Sequence, residues 1–242
     1  MAPSHRFFWA SCLPLMLAGA VADQQAEGCS GSAARCGDLT ISDPFWLVDL
    51  KTGRSCGHMD FRVACYNNTP VLRSTETLGF AIIQMNYNDR SLRASDLGKL
   101  NLLKAFNSCP LFAALTWNTS AKLSSQFQIS NMNQNLIMYN CTEAAAARRG
   151  DRELVETMLR CGNQSEMLVS VAGRYDETSD YGSYALEGCD AYVIPVLGSS
   201  SGVANARDYE KLIRDGFLLT WNPPLASKLA HPLKSSFNQV AS

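Results

Sequence analysis

The first candidate for chemistry is a serine in Gly198-Ser199-Ser200-Ser201-Gly202, which matches the G-x-S-x-G pattern of a hydrolase nucleophile at Ser200. A serine nucleophile needs a histidine base, and only His58 and His231 follow residue 22. The chain also lacks the repeated alternation of strands and helices that a parallel hydrolase sheet requires. A flexible Gly/Ser loop explains the pattern better, and a serine hydrolase using Ser200 is only a remote alternative.

Cysteine and histidine offer no better catalytic or metal-binding set. The spacings Cys29-x6-Cys36 and Cys56-x8-Cys65 differ from the C-x2–4-C spacing of structural zinc sites. Cys56 lies two residues from His58, but in an oxidising compartment a cysteine among many others is expected to form a disulfide. We therefore predict no catalytic residue, no metal and no cofactor.

The first 22 residues indicate which compartment the chain enters. A basic start is followed by an apolar run over residues 7–20 and by the small-residue cleavage site Ala20-Val21-Ala22, which together predict a secretory signal peptide. No later stretch reaches the roughly 20 apolar residues that span a bilayer. Cleavage removes Cys12 and leaves eight cysteines, so we predict disulfide bonds among Cys29, Cys36, Cys56, Cys65, Cys109, Cys141, Cys161 and Cys189.

The cysteines also divide the chain. Six of the eight lie between Cys29 and Cys141, whereas Cys161 and Cys189 follow the Ala- and Arg-rich break at residues 144–150. We predict a first domain over residues 23–142, a second over residues 143–222 and a loose tail over residues 223–242. If disulfides stay within domains, Cys161 pairs with Cys189.

Glycosylation signals and charge agree with an extracellular protein. Four sequons without proline predict N-linked glycans at Asn67, Asn118, Asn140 and Asn163. The formal net charge is −1 at pH 7, which lacks the basic excess of a nucleic-acid-binding protein. We therefore expect no nucleic-acid partner, and an anionic ligand would need a local group of basic residues.

Short alternating segments separated by Asn, Asp and Gly turns predict a mainly β fold made of two small disulfide-bonded domains. The first is expected to be an antiparallel sandwich, with strands at residues 81–87, 91–96, 126–129 and 136–139. The second is expected to be β-rich with one or two short helices. Residues 151–160 place apolar side chains at helical spacing, and residues 209–214 form a second short helix that Gly216 ends.

The ordered motifs resemble the galacturonan-binding domain of plant wall-associated receptor kinases. The resemblance rests on Cys36-Gly37, Pro44-Phe45-Trp46-Leu47, Cys56-Gly57-His58-x-Asp60-Phe61-x-Val63-x-Cys65, Ile83-x-x-Asn86-Tyr87, Ser91–Asp96, Phe127-x-Ile129-Ser130-x-x-Asn133 and Tyr139-Asn140-Cys141. The later part of the chain is similar to the C-terminal domain of these kinases. This similarity extends from Cys161 through Cys189 to the segment Gly216-Phe217-x-Leu219-x-Trp221. The pair is typical of leaf-rust-resistance-type ectodomains. Asp43 replaces the tyrosine that usually precedes Pro44 in this family.

The resemblance implies a non-catalytic module that binds pectin, an acidic wall polysaccharide, in the apoplast. Such a polyanion requires basic side chains and aromatic rings that stack on sugars. The candidate contacts are Trp46, Arg54, His58, Arg62, Arg73, Arg90 and Arg93, whereas Phe61 alternates with core residues and is assigned to the core.

The end of the chain departs from the family pattern. In relatives, further cysteines, a membrane span and a cytoplasmic serine/threonine kinase follow the Trp221 segment, but here Asn222-Pro223-Pro224 leads into a tail. We expect a kinase-less secreted form, an alternative transcript product or an incomplete gene model, so kinase activity is not carried over. A secreted decoy or co-receptor for a peptide or receptor partner is the alternative function.

Overall fold

Alternating apolar side chains form strands along most of the chain that the computed structural model describes, which comprises residues 33–48, 55–73, 79–104, 119–142, 154–160, 165–176, 184–198 and 202–223. The strands in these ranges are β1 Ala34–Cys36, β2 Leu39–Ile41, β3 Trp46–Leu47, β4 Arg62–Tyr66, β5 Thr69–Arg73, β6 Gly79–Asn86, β7 Ser91–Asp96, β8 Phe127–Ile129, β9 Asn133–Thr142, β10 Val155–Arg160, β11 Ser165–Arg174, β12 Cys189–Leu197 and β13 Phe217–Trp221. The helices are α1 Leu97–Leu102 and α2 Tyr209–Asp215, with 3₁₀ turns at Met59–Phe61, Ser120–Lys122 and Ala206–Asp208. The predicted mainly β fold with few short helices is confirmed.

The larger sheet has seven strands in the order β3-β4-β5-β6-β7-β13-β8. All neighbours in it are antiparallel except the parallel pair β3–β4. One face carries the main core, which includes the side chains of Val63, Leu72, Phe80, Ile82, Leu92, Ala94, Phe217, Leu219 and Trp221. Phe45 packs into this core with its ring 5.2 Å from Phe61 and 4.9 Å from Trp221, both edge-on. Residues from both ends of the described chain therefore meet in one core.

The smaller sheet has four antiparallel strands in the order β10-β11-β9-β12. On one face, Leu136 and Met138 of β9 pack with Leu212 and Ile213 of α2. On the other face, a separate cluster contains Ile137, Tyr139, Cys141, Leu168 and Val193. The helix α2 also contacts the larger sheet, since Ser95 in β7 donates a hydrogen bond to the Arg214 carbonyl at 2.6 Å.

Each sheet combines strands from both sides of residue 142, where we expected the domain boundary. Strand β13 joins the larger sheet by pairing with β7 and β8. Strand β9 lies at the centre of the smaller sheet, between β11 and β12. Gly216 joins α2 to β13 with a φ of 76°, and a Cβ there would lie 2.2 Å from the Ala94 carbonyl oxygen. Only glycine fits this close approach.

The predicted Cys161–Cys189 pairing is wrong, because Cys189 forms a disulfide with Cys141. The two residues lie directly opposite each other on β12 and β9, with Cα atoms 4.1 Å apart. A second disulfide joins Cys36 to Cys65. Cys56 is disulfide-bonded as well. The other predicted disulfide cysteines, Cys29, Cys109 and Cys161, lie outside the described residues.

The helix predicted over residues 151–160 is also wrong, since residues 155–160 form strand β10. Its apolar spacing suits a helix, but β10 pairs with β11 at the edge of the smaller sheet, with Val155 opposite Val169.

A β-bulge in β6 changes which of its side chains face the core. The register shifts between Ile82 and Gln84, so Ile82 and Met85 both reach the core.

One group of buried charges links β7 to the turn before β8. Lys122 lies 2.5 Å from Asp96, which also accepts the backbone N–H of Gly98 at 2.9 Å and so caps α1. Lys99 is buried close by, and this burial lowers its pKa to about 8, opposed by Asp96 and reinforced by Lys122. Burial likewise lowers the pKa of Lys122, opposed by Asp96. Asp96 therefore offsets part of the cost of burying both lysines.

Candidate functional site

His58 is exposed, but it is engaged within its own turn. Its Nδ1 accepts the backbone N–H of Asp60 at 3.4 Å, which caps the 3₁₀ turn Met59–Phe61. The same nitrogen lies 3.4 Å from the Asp60 carboxylate, and the imidazole is 48% exposed. An anionic ligand at His58 would therefore meet a carboxylate beside it, which is unfavourable.

Trp46 faces the protein interior. It is only 9% exposed, and its indole N–H donates to the His58 carbonyl at 3.0 Å. The ring also packs on the backbone, since a Cβ on Gly57 would lie 2.8 Å from Trp46 Cδ1. Phe61 is fully buried in the core, as expected from its alternation. Neither ring offers an open face on which a sugar can stack.

The predicted arginines do not form one cluster. Arg62, Arg73 and Arg93 alternate with core residues on β4, β5 and β7 and so occupy register positions on the opposite face of the larger sheet. Arg73 pairs with Gly79, whereas Arg93 pairs with Gln84, five residues further along β6. That offset corresponds to about 16 Å along the strand. Buried side chains lie between the two positions, namely Ala64, Val71, Ala81 and Ser95.

The remaining basic candidates are Arg54 and Arg90. Arg54 lies outside the described residues. Arg90 is exposed in the turn between β6 and β7 with a φ of 48°, and its carbonyl accepts the backbone N–H of Trp221 at 3.0 Å. Arg90 lies in the turn before β7 and Arg93 within β7, whereas Arg62 lies on β4, three strand positions away in the larger sheet.

Arg93 belongs to a row of polar residues on the face opposite the core. Its register partners are Gln84 of β6 and Leu218 of β13. In the adjacent row, Ser91 of β7 pairs with Thr220 of β13, which pairs with Gln128 of β8. We call Gln84, Ser91, Arg93, Gln128 and Thr220 the polar strip. Gln84 and Gln128 are exposed, and the other three are partly exposed.

The side chains of the polar strip are largely uncommitted. Within the described part of the chain, Gln84, Ser91 and Gln128 have no side-chain hydrogen bond, and Thr220 makes one long contact of 3.5 Å with the Gln128 carbonyl. The Arg93 Nε atom is buried without a hydrogen-bond partner. Sequence reasoning found Arg93 but not its four neighbours, because they come together only through pairing of β7 with β13 and β8.

A cavity of about 900 Å³ lies beside α2 in the other part of the molecule. Its lining includes the backbone of Gly173 and Gly198 and four charged residues, Arg174, Asp208, Lys211 and Asp215. Lys211 is paired with Asp215 on the helix surface. With two residues of each sign, this cavity has no charge preference for a polyanion.

Two of the predicted glycan acceptors can be placed. Asn67 is exposed at the tip of the β4–β5 hairpin, where Asn67 and Asn68 have φ values of 46° and 63°. Asn140 lies within β9 between two paired strands, and its Oδ1 is buried. The other two acceptors, Asn118 and Asn163, lie outside the described residues. The geometry favours Asn67 as the accessible acceptor, and glycosylation at all four positions stays a prediction.

The described residues also bear on the catalytic and membrane alternatives. Ser200 and His231 lie outside them, but β12, which precedes Gly198, belongs to an antiparallel sheet rather than the parallel sheet of a hydrolase. No three His, Cys, Asp or Glu side chains in the described ranges are grouped to hold a metal ion. Among the same residues, no helix is long and apolar enough to cross a membrane.

The fold defines a disulfide-bonded, mainly β protein, and its larger sheet carries the partly exposed polar strip. Residues 29–96 match the family model described as wall-associated receptor kinase galacturonan-binding. This range includes strands β1–β7 and the Cys36–Cys65 disulfide, so the first part of the expected resemblance is confirmed. No curated protein and no solved structure matches the chain. The similarity of the later part to the C-terminal kinase-ectodomain segment stays a prediction.

Proposed function

We propose that this protein binds galacturonan, the acidic polysaccharide of pectin, as a non-catalytic extracellular module. The match of residues 29–96 to the galacturonan-binding family carries this proposal. The disulfides at Cys36–Cys65 and Cys141–Cys189 support an oxidising, extracellular location. The signal peptide and the apoplastic location belong to the same proposal.

The charge distribution supports a local rather than a global contact with the polyanion. The net charge of the chain is −1, so long-range attraction does not favour an acidic ligand. Arg90 and Arg93 are nevertheless close together in sequence at one end of the larger sheet, and neither forms an ion pair with another described residue. A uronate carboxylate binds best to such uncommitted guanidinium groups.

The test is binding of oligogalacturonides of defined length to the full chain, produced through a secretory pathway so that its disulfides form. Isothermal titration should show saturable binding that weakens as salt increases, and neutral oligoglucosides of equal length should not bind. Parallel titrations with added calcium and with chelator separate direct binding from calcium-dependent gelling of the ligand. Absence of binding in every arm would refute the proposal.

A second candidate is binding of a peptide or receptor partner, as a decoy or co-receptor. The cavity beside α2 favours it, because Arg174 and Asp208 place opposite charges around a space of about 900 Å³. A ligand with both charges fits such a lining better than a uniformly acidic chain does. Capture of apoplastic proteins by the wild type, lost on Arg174→Glu substitution while oligogalacturonide binding persists, would support this second function.

A further inference from the structure

We propose that the polar strip is the surface that contacts the polysaccharide, and that it takes a uronic-acid chain through one carboxylate and several hydroxyl groups. This inference rests on the proposed function and names the site at which that function would occur. It also implies a specific ligand preference, namely tolerance of methyl esters on most of the uronate residues.

The first argument is geometric. The strip crosses four adjacent strands in the order β6-β7-β13-β8, in two adjacent rows. Gln84 pairs with Arg93 in one row, and Ser91, Thr220 and Gln128 pair in the other. Leu218 is the register partner of Arg93 on β13. Three strand spacings of about 4.8 Å give it a width of about 14 Å. Neighbouring side chains on one face of a sheet are thus arranged in a shallow row. A row of this kind suits an extended chain that lies across the strands.

The second argument is the chemistry of the side chains. The amides of Gln84 and Gln128 each donate and accept hydrogen bonds, as do the hydroxyls of Ser91 and Thr220. Vicinal sugar hydroxyls need both kinds of partner. These four side chains make only one long hydrogen bond to other described residues, so they are available for contacts with a sugar.

The third argument concerns Arg93. Its Nε is buried without an acceptor, so a ligand does not reach that atom. A ligand carboxylate bound to the two Nη atoms would form a bidentate pair and give this charge the partner that no other described residue supplies. No acidic residue belongs to the strip. Of the two carboxylates near Arg93 in sequence, Asp96 is paired with Lys122, and Asp89 accepts a hydrogen bond from the Asn86 amide at 2.6 Å in the β6–β7 turn.

These charges set the expected ligand. Arg93 is the one cation among five strip residues, so one free carboxylate satisfies it, and the remaining contacts are uncharged. A fully de-esterified chain is therefore not required. We expect partially methyl-esterified oligogalacturonides to bind nearly as well as de-esterified ones, and we expect a shallow salt dependence because few charges meet.

The experiment compares variants of the full chain in oligogalacturonide titrations. Arg93→Gln should weaken binding by about tenfold or more, which corresponds to the loss of one charge-assisted contact. Arg93→Lys should lie between Arg93→Gln and wild type, because it keeps the charge but loses the bidentate fork. The double variant Gln84→Ala with Gln128→Ala should weaken binding without changing its salt dependence.

The matched control is Arg35→Gln, which removes an exposed arginine from β1 within the family-matched range but outside the strip. It should bind like wild type. Thermal unfolding of every variant establishes that the fold is retained. If the wild type binds but Arg93→Gln and the double glutamine variant bind equally well, the strip is not the site and galacturonan binding stands. If the wild type binds no oligogalacturonide, the proposed function and the strip assignment both fail.

Discussion

Truncation of Trp221 to alanine should destabilise the core of the larger sheet, although Trp221 lies far in sequence from the family-matched range. Its side chain is 5% exposed, and its ring lies 4.9 Å from Phe45 and 6.0 Å from Tyr87, both edge-on. Replacing a core tryptophan by alanine costs about 4 kcal/mol. Each lost aromatic pair accounts for up to about 1.5 kcal/mol of that loss. Since small proteins unfold at about 5–15 kcal/mol, Trp221→Ala should remove about a quarter or more of the stability.

The assay is urea unfolding with the disulfides intact, followed by far-UV circular dichroism because the substitution itself alters tryptophan fluorescence. Trp221→Phe should show a smaller loss, since it keeps an aromatic ring against Phe45. Met158→Ala is the control, because Met158 is 90% exposed on the edge strand β10 and should change the unfolding free energy by less than about 0.5 kcal/mol. Equal effects of Trp221→Ala and Met158→Ala would refute the assignment of β13 to the larger sheet's core.

Three further predictions concern buried charges and disulfides. Asp96→Asn should lower the unfolding free energy by about 3–5 kcal/mol in urea titrations, because it removes the carboxylate that pairs with the buried Lys122 while asparagine preserves the cap of α1. Lys99 has a pKa of about 8 instead of its ordinary 10.5, so the folded state binds fewer protons than the unfolded state between these values. Wild-type stability should therefore rise relative to Lys99→Met, by up to about 3 kcal/mol, as the pH increases from 8 to 10.5. A flat difference across this window would contradict the burial of Lys99. Peptide mapping under non-reducing conditions should recover Cys141 linked to Cys189, and recovery of either cysteine with another partner would contradict the pairing of β9 with β12.

Local patterns predicted the elements whose period was unambiguous. Residues 91–96 and 217–221 alternate and form β7 and β13, and Gly216 ends α2 as expected. Residues 151–160 were ambiguous, because a short apolar run at spacings of three and four fits a helix and an edge strand alike. Tertiary pairing of β10 with β11 decides between them. Local periodicity does not contain that information.

Long-range register explains the other differences between sequence and structure. The cysteine spacing suggested a pair within residues 143–222, but β9 carries Cys141 into the smaller sheet and places it opposite Cys189. The candidate site shows the same limit. Arg93 was identifiable as a basic residue near the family motifs, whereas Thr220 and Gln128 became its neighbours only through strand pairings that span most of the chain.

The two faces of β13 connect stability to the proposed function. Its inward residues Phe217, Leu219 and Trp221 complete the main core, and its outward Thr220 belongs to the polar strip. A polysaccharide lying across β7, β13 and β8 would bridge strands from inside and outside the family-matched range. Residues 29–96 supply only the β6 and β7 part of this surface and leave the edge of β7 without its partner strand β13. The physical unit for folding is therefore the seven-stranded sheet rather than the matched segment.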